Sequence, residues 1–302
     1  GAQVRKDLLK LASSAIEQQR ATQETAQIGL DTYKAVVANP ELLNRDTQKE
    51  AADSVERLVT NFVNQTKEPL PLKQANTAID ALSSVGIAST VPFDRLPSTR
   101  NGTLNGGEVT DENQLDTDLA EVSETLLTIS GTVDTIIDTA LLDTEPGEPD
   151  LVLGETQESP IRAVAAVKPH PAFPAAVGLE GDAEFHIPSS VGDSLIEDMD
   201  VQVILVTMDF DLHPGARGGA SEEAAQRRRQ LGNATNTVTV DPRPASTLGG
   251  TSSLVVRARG GDEIAVDNSS SLIEFTLPYP VGYAPTGEEL ECAFWEDSAA
   301  SK

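Results

Sequence analysis

Three histidines, one cysteine and a dense run of carboxylates are the side chains of this 302-residue chain that invite chemical readings. His170, His186 and His213 each lie close to a proline, and no H-E-x-x-H or H-x-H spacing joins them. None is therefore assigned to a metal. A nucleophile elbow, a P-loop and a G-x-G-x-x-G fingerprint are all missing from the sequence. The pairs Gly106-Gly107, Gly218-Gly219 and Gly249-Gly250 lack the strand-then-helix context that a phosphate cradle needs. Between Asn101 and Ile161 stand fifteen Asp and Glu and no Lys or Arg. Clustered carboxylates suit Ca2+, which takes several oxygen ligands, but no D-x-[DN]-x-[DN]-G loop occurs there. A solvated acidic surface is the preferred reading; Ca2+ stays open as the one cofactor.

Cys292 is the single cysteine and cannot close an internal disulfide. It is a free thiol or half of a bridge whose partner lies elsewhere. Four N-x-S/T sequons, at Asn64, Asn101, Asn233 and Asn268, are candidate N-glycosylation sites and hint at secretion. Asn101 and Asn233 fall in loop-like stretches, and Asn268 in a tight turn. The cluster Arg227-Arg228-Arg229 suits a processing site or an acidic partner. A helical face pairing with Glu222 and Glu223 is the blander reading and the preferred one.

Charge and hydropathy narrow the function classes. Twenty-two basic against 48 acidic residues give a net charge of −26, which disfavours nucleic acid and anionic lipid as partners. Aromatics make up only 4%, so the core must rest on Val, Ile, Leu and Ala. The longest apolar run, around Val201–Val206, is far short of the ~18 residues of a membrane helix. Gly1-Ala2 reads as a processed start, and any membrane anchor is expected outside residues 1–302.

The elements that must position these groups change period midway. Val4, Leu8, Leu11, Ala12, Ala15 and Ile16 form an amphipathic stripe. Ile28, Leu30, Tyr33, Val36 and Val37 extend it until Asn39-Pro40 stops the helix. A second helix is expected from Asp46 as N-cap, with Val55, Leu58, Val59, Phe62 and Val63 inward. Pro69 and Pro71 precede a shorter helix over Lys73–Ser84, facing Ala75, Ala78, Ile79 and Leu82 inward. From Gly86 to Asp111 the pattern dissolves into a long connection. Leu115, Leu119, Val122, Leu126, Ile129, Val133, Ile136, Ile137 and Leu141 then mark the most regular helix, closed by Pro146-Gly147.

Beyond residue 146 the period falls to 2. Strands are expected at Leu151–Leu153, Ile161–Val167, Ala183–Ile187, Val201–Met208, Ser253–Arg257, Glu263–Val266 and Leu272–Leu277. Val201–Met208 is apolar on both faces, as in a strand covered on both sides. Residues 211–233 read as an inserted loop with a short helix at Ser221–Leu231.

The run SSLVVRARGGDEIAVDNSSSLIEFTLP, followed by Cys292-Ala293-Phe294-Trp295, resembles the C-terminal half of a GAIN domain. That family is the extracellular, membrane-adjacent module of adhesion receptors, polycystins and receptor-for-egg-jelly proteins; the polycystin and egg-jelly branch is the nearer one. The specific motifs cover only the last fifty residues. Helices followed by strands match the family's order over nearly the whole chain.

The resemblance implies an α+β fold: an N-terminal helical bundle over residues 1–145, then an antiparallel β-sandwich over 146–302. It also implies a GPS motif, of which Cys292, Phe294 and Trp295 match the opening. Family members that cut themselves use a His-Leu-Ser/Thr turn. There the histidine takes the hydroxyl proton, the oxygen attacks the preceding carbonyl, and water hydrolyses the resulting ester. Residues 296–302 hold no second Cys, no His-Leu and no scissile Ser or Thr, so self-cleavage is not expected within this chain. Cys292 would then bridge to a cysteine beyond residue 302, while Phe294 and Trp295 pack the final hairpin. The expected function is an extracellular juxtamembrane module that holds a C-terminal strand or fragment of the same precursor and relays force or ligand binding. Other extracellular proteins are candidate partners, and the membrane is reached only through segments outside the chain. A purely structural or adhesive domain of a cell-surface or matrix protein is the alternative.

Overall fold

A computed structural model of the chain describes residues 2–94, 103–104, 107–108, 112–154, 159–169, 175–178, 183–188, 200–210, 251–258 and 274–276. Five helices come first: α1 (Ala2–Glu17), α2 (Gln23–Val37), α3 (Arg45–Thr66), α4 (Leu72–Asp94) and α5 (Glu112–Ala140). Between α4 and α5 lie the two-residue strands β1 (Thr103–Leu104) and β2 (Gly107–Glu108). β3 (Leu151–Leu153), β4 (Ile161–Pro169), β5 (Ala175–Gly178), β6 (Glu184–Ile187), β7 (Asp200–Met208), β8 (Thr251–Ala258) and β9 (Glu274–Thr276) follow. Every pairing among them is antiparallel. Helices thus precede antiparallel sheets, as expected.

The helical half departs from the expectation in four places. The single long N-terminal helix is a hairpin of α1 and α2. Thr22 breaks it by accepting from the Thr25 amide at 3.2 Å while the Thr25 hydroxyl accepts from the Thr22 amide at 2.9 Å. Folding back lets Leu30, Tyr33 and Val37 bury against α4 and α3. Of the stripe expected in α1, Ala12 and Ile16 pack against the core, but Val4, Leu8, Leu11 and Ala15 are exposed, and Leu9, outside the stripe, is fully buried.

At α3, Asn44 rather than Asp46 is the N-cap, its side chain accepting from the Thr47 amide at 3.0 Å. Asp46 is the second residue of the helix, in its first turn, and takes a hydrogen bond from Lys6 at 2.6 Å, which holds its carboxyl below the usual carboxylate range. A group with a lowered folded-state pKa contributes stability above its unfolded value and loses it as pH falls through the folded one. Asp46 is largely exposed. A Lys6→Ala/Asp46→Ala double-mutant cycle is therefore expected to read less than about 1 kcal/mol at neutral pH and to fade in strong acid. A coupling undiminished in strong acid contradicts the ion pair.

Lastly, α4 does not stop near Ser84 but runs through Gly86 to Asp94. Glycine weakens an isolated helix. Here it is what lets the Phe210 ring, at the end of β7, lie against the helix: a Cβ on Gly86 would sit 2.4 Å from Phe210 Cε1. α5 carries the regular pattern as read, with Val122, Leu126, Ile129, Val133, Ile136, Ile137 and Leu141 all fully buried.

The strands form a four-stranded sheet in the order β3-β4-β7-β8 and a three-stranded sheet in the order β5-β6-β9. β5 was absent from the sequence reading. The strand expected at Glu263–Val266 lies outside the described residues. β4 and β7 pair over nine positions, from Ile161↔Met208 to Pro169↔Asp200. Alternation along them serves two cores. Ile161, Ala163, Ala165, Val167, Ile204, Val206 and Met208 join the helices in one cluster. Val164, Val201, Val203 and Leu205 face the other way and meet Val177, Ala183, Phe185 and Ile187 of the second sheet. That two-sided burial is why β7 reads as apolar throughout. Gly154 ends β3 at φ 73°, where a Cβ would meet the Ile161 carbonyl oxygen at 2.2 Å. Its amide donates to Asn76 Oδ1 on α4 at 2.9 Å, tying the sheet to the bundle.

Candidate functional site

The expected strand-holding role needs a sheet edge, and among the described residues the sheet order places one at β8. β7 is central and pairs with β8 over eight positions, from Val201↔Ala258 to Met208↔Thr251. Among the described residues no strand pairs with the other side of β8. An edge strand presents a row of outward N–H and C=O groups, which is a template for strand addition. β8 has the composition for it: Leu254 and Val256 turn toward the second sheet, while Val255 packs against the helical core. β3, the opposite edge, spans only three residues.

A polar chain anchors β8 to the helices. Arg257 donates through Nε to Gln202 Oε1 on β7 at 2.9 Å. Its guanidinium also pairs with the Asp138 carboxylate on α5. Gln202 is only 7% exposed, so this bond satisfies a polar group inside an otherwise apolar strand. At the far end of the strand, the Thr251 hydroxyl donates to the Phe210 carbonyl at 3.3 Å. The edge strand is thus held at both ends by residues whose own contacts lie in the bundle. Sequence reasoning missed this chain: Gln202 sits in an apolar run and Asp138 on a helix, with nothing local to couple them to Arg257.

The residues singled out from the sequence fare unevenly. Asn64 lies exposed near the end of α3, and its sequon partner Thr66 donates its hydroxyl to the Phe62 carbonyl at 2.8 Å. Cys292, Phe294, Trp295, Asn101, Asn233 and Asn268 lie outside the described residues, as do His170, His213 and the triple arginine. His186 on β6 is exposed and sits 3.6 Å from Glu184 on the same face of that strand. Within the acidic stretch, Glu124 pairs with Lys49 at 2.7 Å and Asp150 with Lys168 at 2.8 Å. Among the described residues no group of three or more His, Cys, Asp or Glu could hold a metal ion. No helix among them is long and apolar enough to cross a membrane.

A second polar cluster lies inside the bundle and was not anticipated either. Ser13 bonds both the buried Tyr33 hydroxyl at 3.0 Å and Ser54 Oγ at 2.9 Å, and Arg57 donates to Ser54 at 3.3 Å. Burial pushes the Tyr33 phenol up, keeping it protonated. A cavity of about 30 Å3 opens beside these groups, room for a water but not for a substrate. None of these bonds runs from a hydroxyl to a carboxylate or an imidazole. No protein-family model matches this chain, and no curated protein matches it.

Proposed function

We propose that this chain is a non-enzymatic, extracellular module of the GAIN type, set beside the membrane in a polycystin-like or adhesion-receptor-like protein. Its role is to hold a C-terminal strand or fragment of the same precursor and to relay force or ligand binding. The observation that carries the reading is that, among the described residues, the eight-residue β8 is an edge against the buried central strand β7. Main-chain hydrogen bonds along such an edge give strength, and alternating side chains give register. The apolar cluster shared by the two sheets supports the finer proposal that they form a β-sandwich. The Arg257–Asp138 pair supplies a path from the edge to α5. In this reading Phe294 and Trp295 anchor the final hairpin, Cys292 is half of a disulfide, and glycans occupy sequons such as the exposed Asn64.

Cutting the chain tests the proposal. A specific protease site placed at residues 284–287 separates the segment bearing Trp295, the single tryptophan, from the rest. After cleavage, Trp295 fluorescence is expected to co-elute with the large fragment on native gel filtration and to separate from it in denaturant. Elution of the free segment under native conditions sinks the strand-holding role.

A further inference from the structure

α1 carries two apolar stripes, and the bundle uses one. Leu9, Ser13 and Ile16, spaced by four and three, turn inward. Val4, Leu8, Leu11 and Ala15, spaced by four, three and four, turn outward, with Val4 60%, Leu8 48% and Leu11 68% exposed. That second spacing is the seam of a coiled coil, suited to another helix. Across from it on α2 stands Ile28, 56% exposed, and between the two helices runs an open groove of about 1,060 Å3. Large apolar residues scattered singly need no explanation, but four lining one groove do.

The charges around the groove say what fits it. Arg5 reaches from α1 across to the Val36 carbonyl near the end of α2, and Asp31 lines the same groove, so a strongly acidic or strongly basic partner helix would leave one of the two charges opposed. A surface with the same balance satisfies both. Residues 1–66 hold eight Lys and Arg against nine Asp and Glu, a net of 8 − 9 = −1. Of the chain's −26, then, −25 lies in residues 67–302. Two copies approaching through α1 and α2 avoid most of the repulsion that the rest of their surfaces imposes.

We propose that this groove is the contact through which two copies of the chain associate, α1 of each lying over α2 of the other. An isologous pair needs a twofold axis. An axis running along the groove lays α1 of each copy over α2 of the other, whereas an axis across it sets α1 against α1 and brings the two Arg5 side chains to the same side. The outward stripe is exposed, so changing it leaves the fold of the single chain intact.

Sedimentation equilibrium over a range of concentrations provides the test. The wild-type chain is expected to pass from one to two copies, and Leu8→Asp with Leu11→Asp to raise the dissociation constant by at least about 100-fold. Thermal melts that match the wild type confirm that these variants fold. Register is read in a Cys292→Ser background by mixing Leu8→Cys chains with Ala35→Cys chains, Ala35 lining the groove level with Leu8: disulfides are expected between the two kinds, not within either. Three outcomes overturn the proposal. These are a wild-type chain monomeric at every concentration, a dimer indifferent to the aspartates, and a monomer that binds phosphatidylcholine vesicles through the same leucines.

Discussion

Replacing Phe210 by alanine is expected to cost about 3–5 kcal/mol of stability, the range for removing a buried phenyl ring. The ring is 5% exposed and belongs to the core that joins helices to sheet. Its cost comes from two sources. The apolar surface loses its burial, and the space against Gly86 is left as a void that helix α4 cannot fill. Gly86→Ala probes the same contact from the other side. Alanine improves a helix interior over glycine by about 1 kcal/mol. Against that, the added methyl would lie 2.4 and 2.5 Å from two ring carbons, and overpacking of this kind costs about 1–3 kcal/mol. Gly86→Ala is therefore expected to destabilise the wild type by up to about 2 kcal/mol, yet to stabilise the Phe210→Ala variant, where only the propensity gain remains. Chemical denaturation of the four proteins in the cycle checks this. Simple additivity of the two changes would falsify the ring-on-glycine contact.

The second large effect belongs to the edge strand. Arg257→Ala is expected to cost about 2–3 kcal/mol, most of it from leaving the buried Gln202 oxygen without its donor. Asp138→Asn should cost less than about 1 kcal/mol, because an ion pair with a half-exposed carboxylate contributes little. Asp138 has a side chain 47% exposed, against 16% for Arg257, which is why the two partners of one pair differ. Added salt should shrink the Asp138 effect and leave most of the Arg257 effect. Hydrogen exchange locates the damage: in Arg257→Ala, β8 amides are expected to lose protection while α2 and α3 keep theirs. Equal losses for the two substitutions, or protection falling evenly along the chain, would contradict a local anchor. The measurement bears on the proposed function as well, since a loosened β8 would offer a poorer edge to the strand that the proposal docks there.

Local patterning made much of this fold legible. In α5 the burial of Val122, Leu126, Ile129, Val133, Ile136, Ile137 and Leu141 follows directly from their spacing, because only one face of that helix is apolar. β7 was readable for the opposite reason: with both faces apolar, it had to lie between two layers. The helix-then-strand order followed from the change of period between Ala140 and Leu151.

Tertiary structure decided what the pattern left degenerate. α1 has two stripes, and nothing within sixteen residues says which one meets a neighbour. The hairpin at Thr22 chose Leu9 and left Val4, Leu8 and Leu11 outside. Gly86 reads as a breaker until Phe210, distant in sequence, supplies packing that a helix alone lacks. The Arg257–Gln202–Asp138 chain joins three separate elements. Periodicity records which side chains avoid water; which of them touch one another is set by long-range packing.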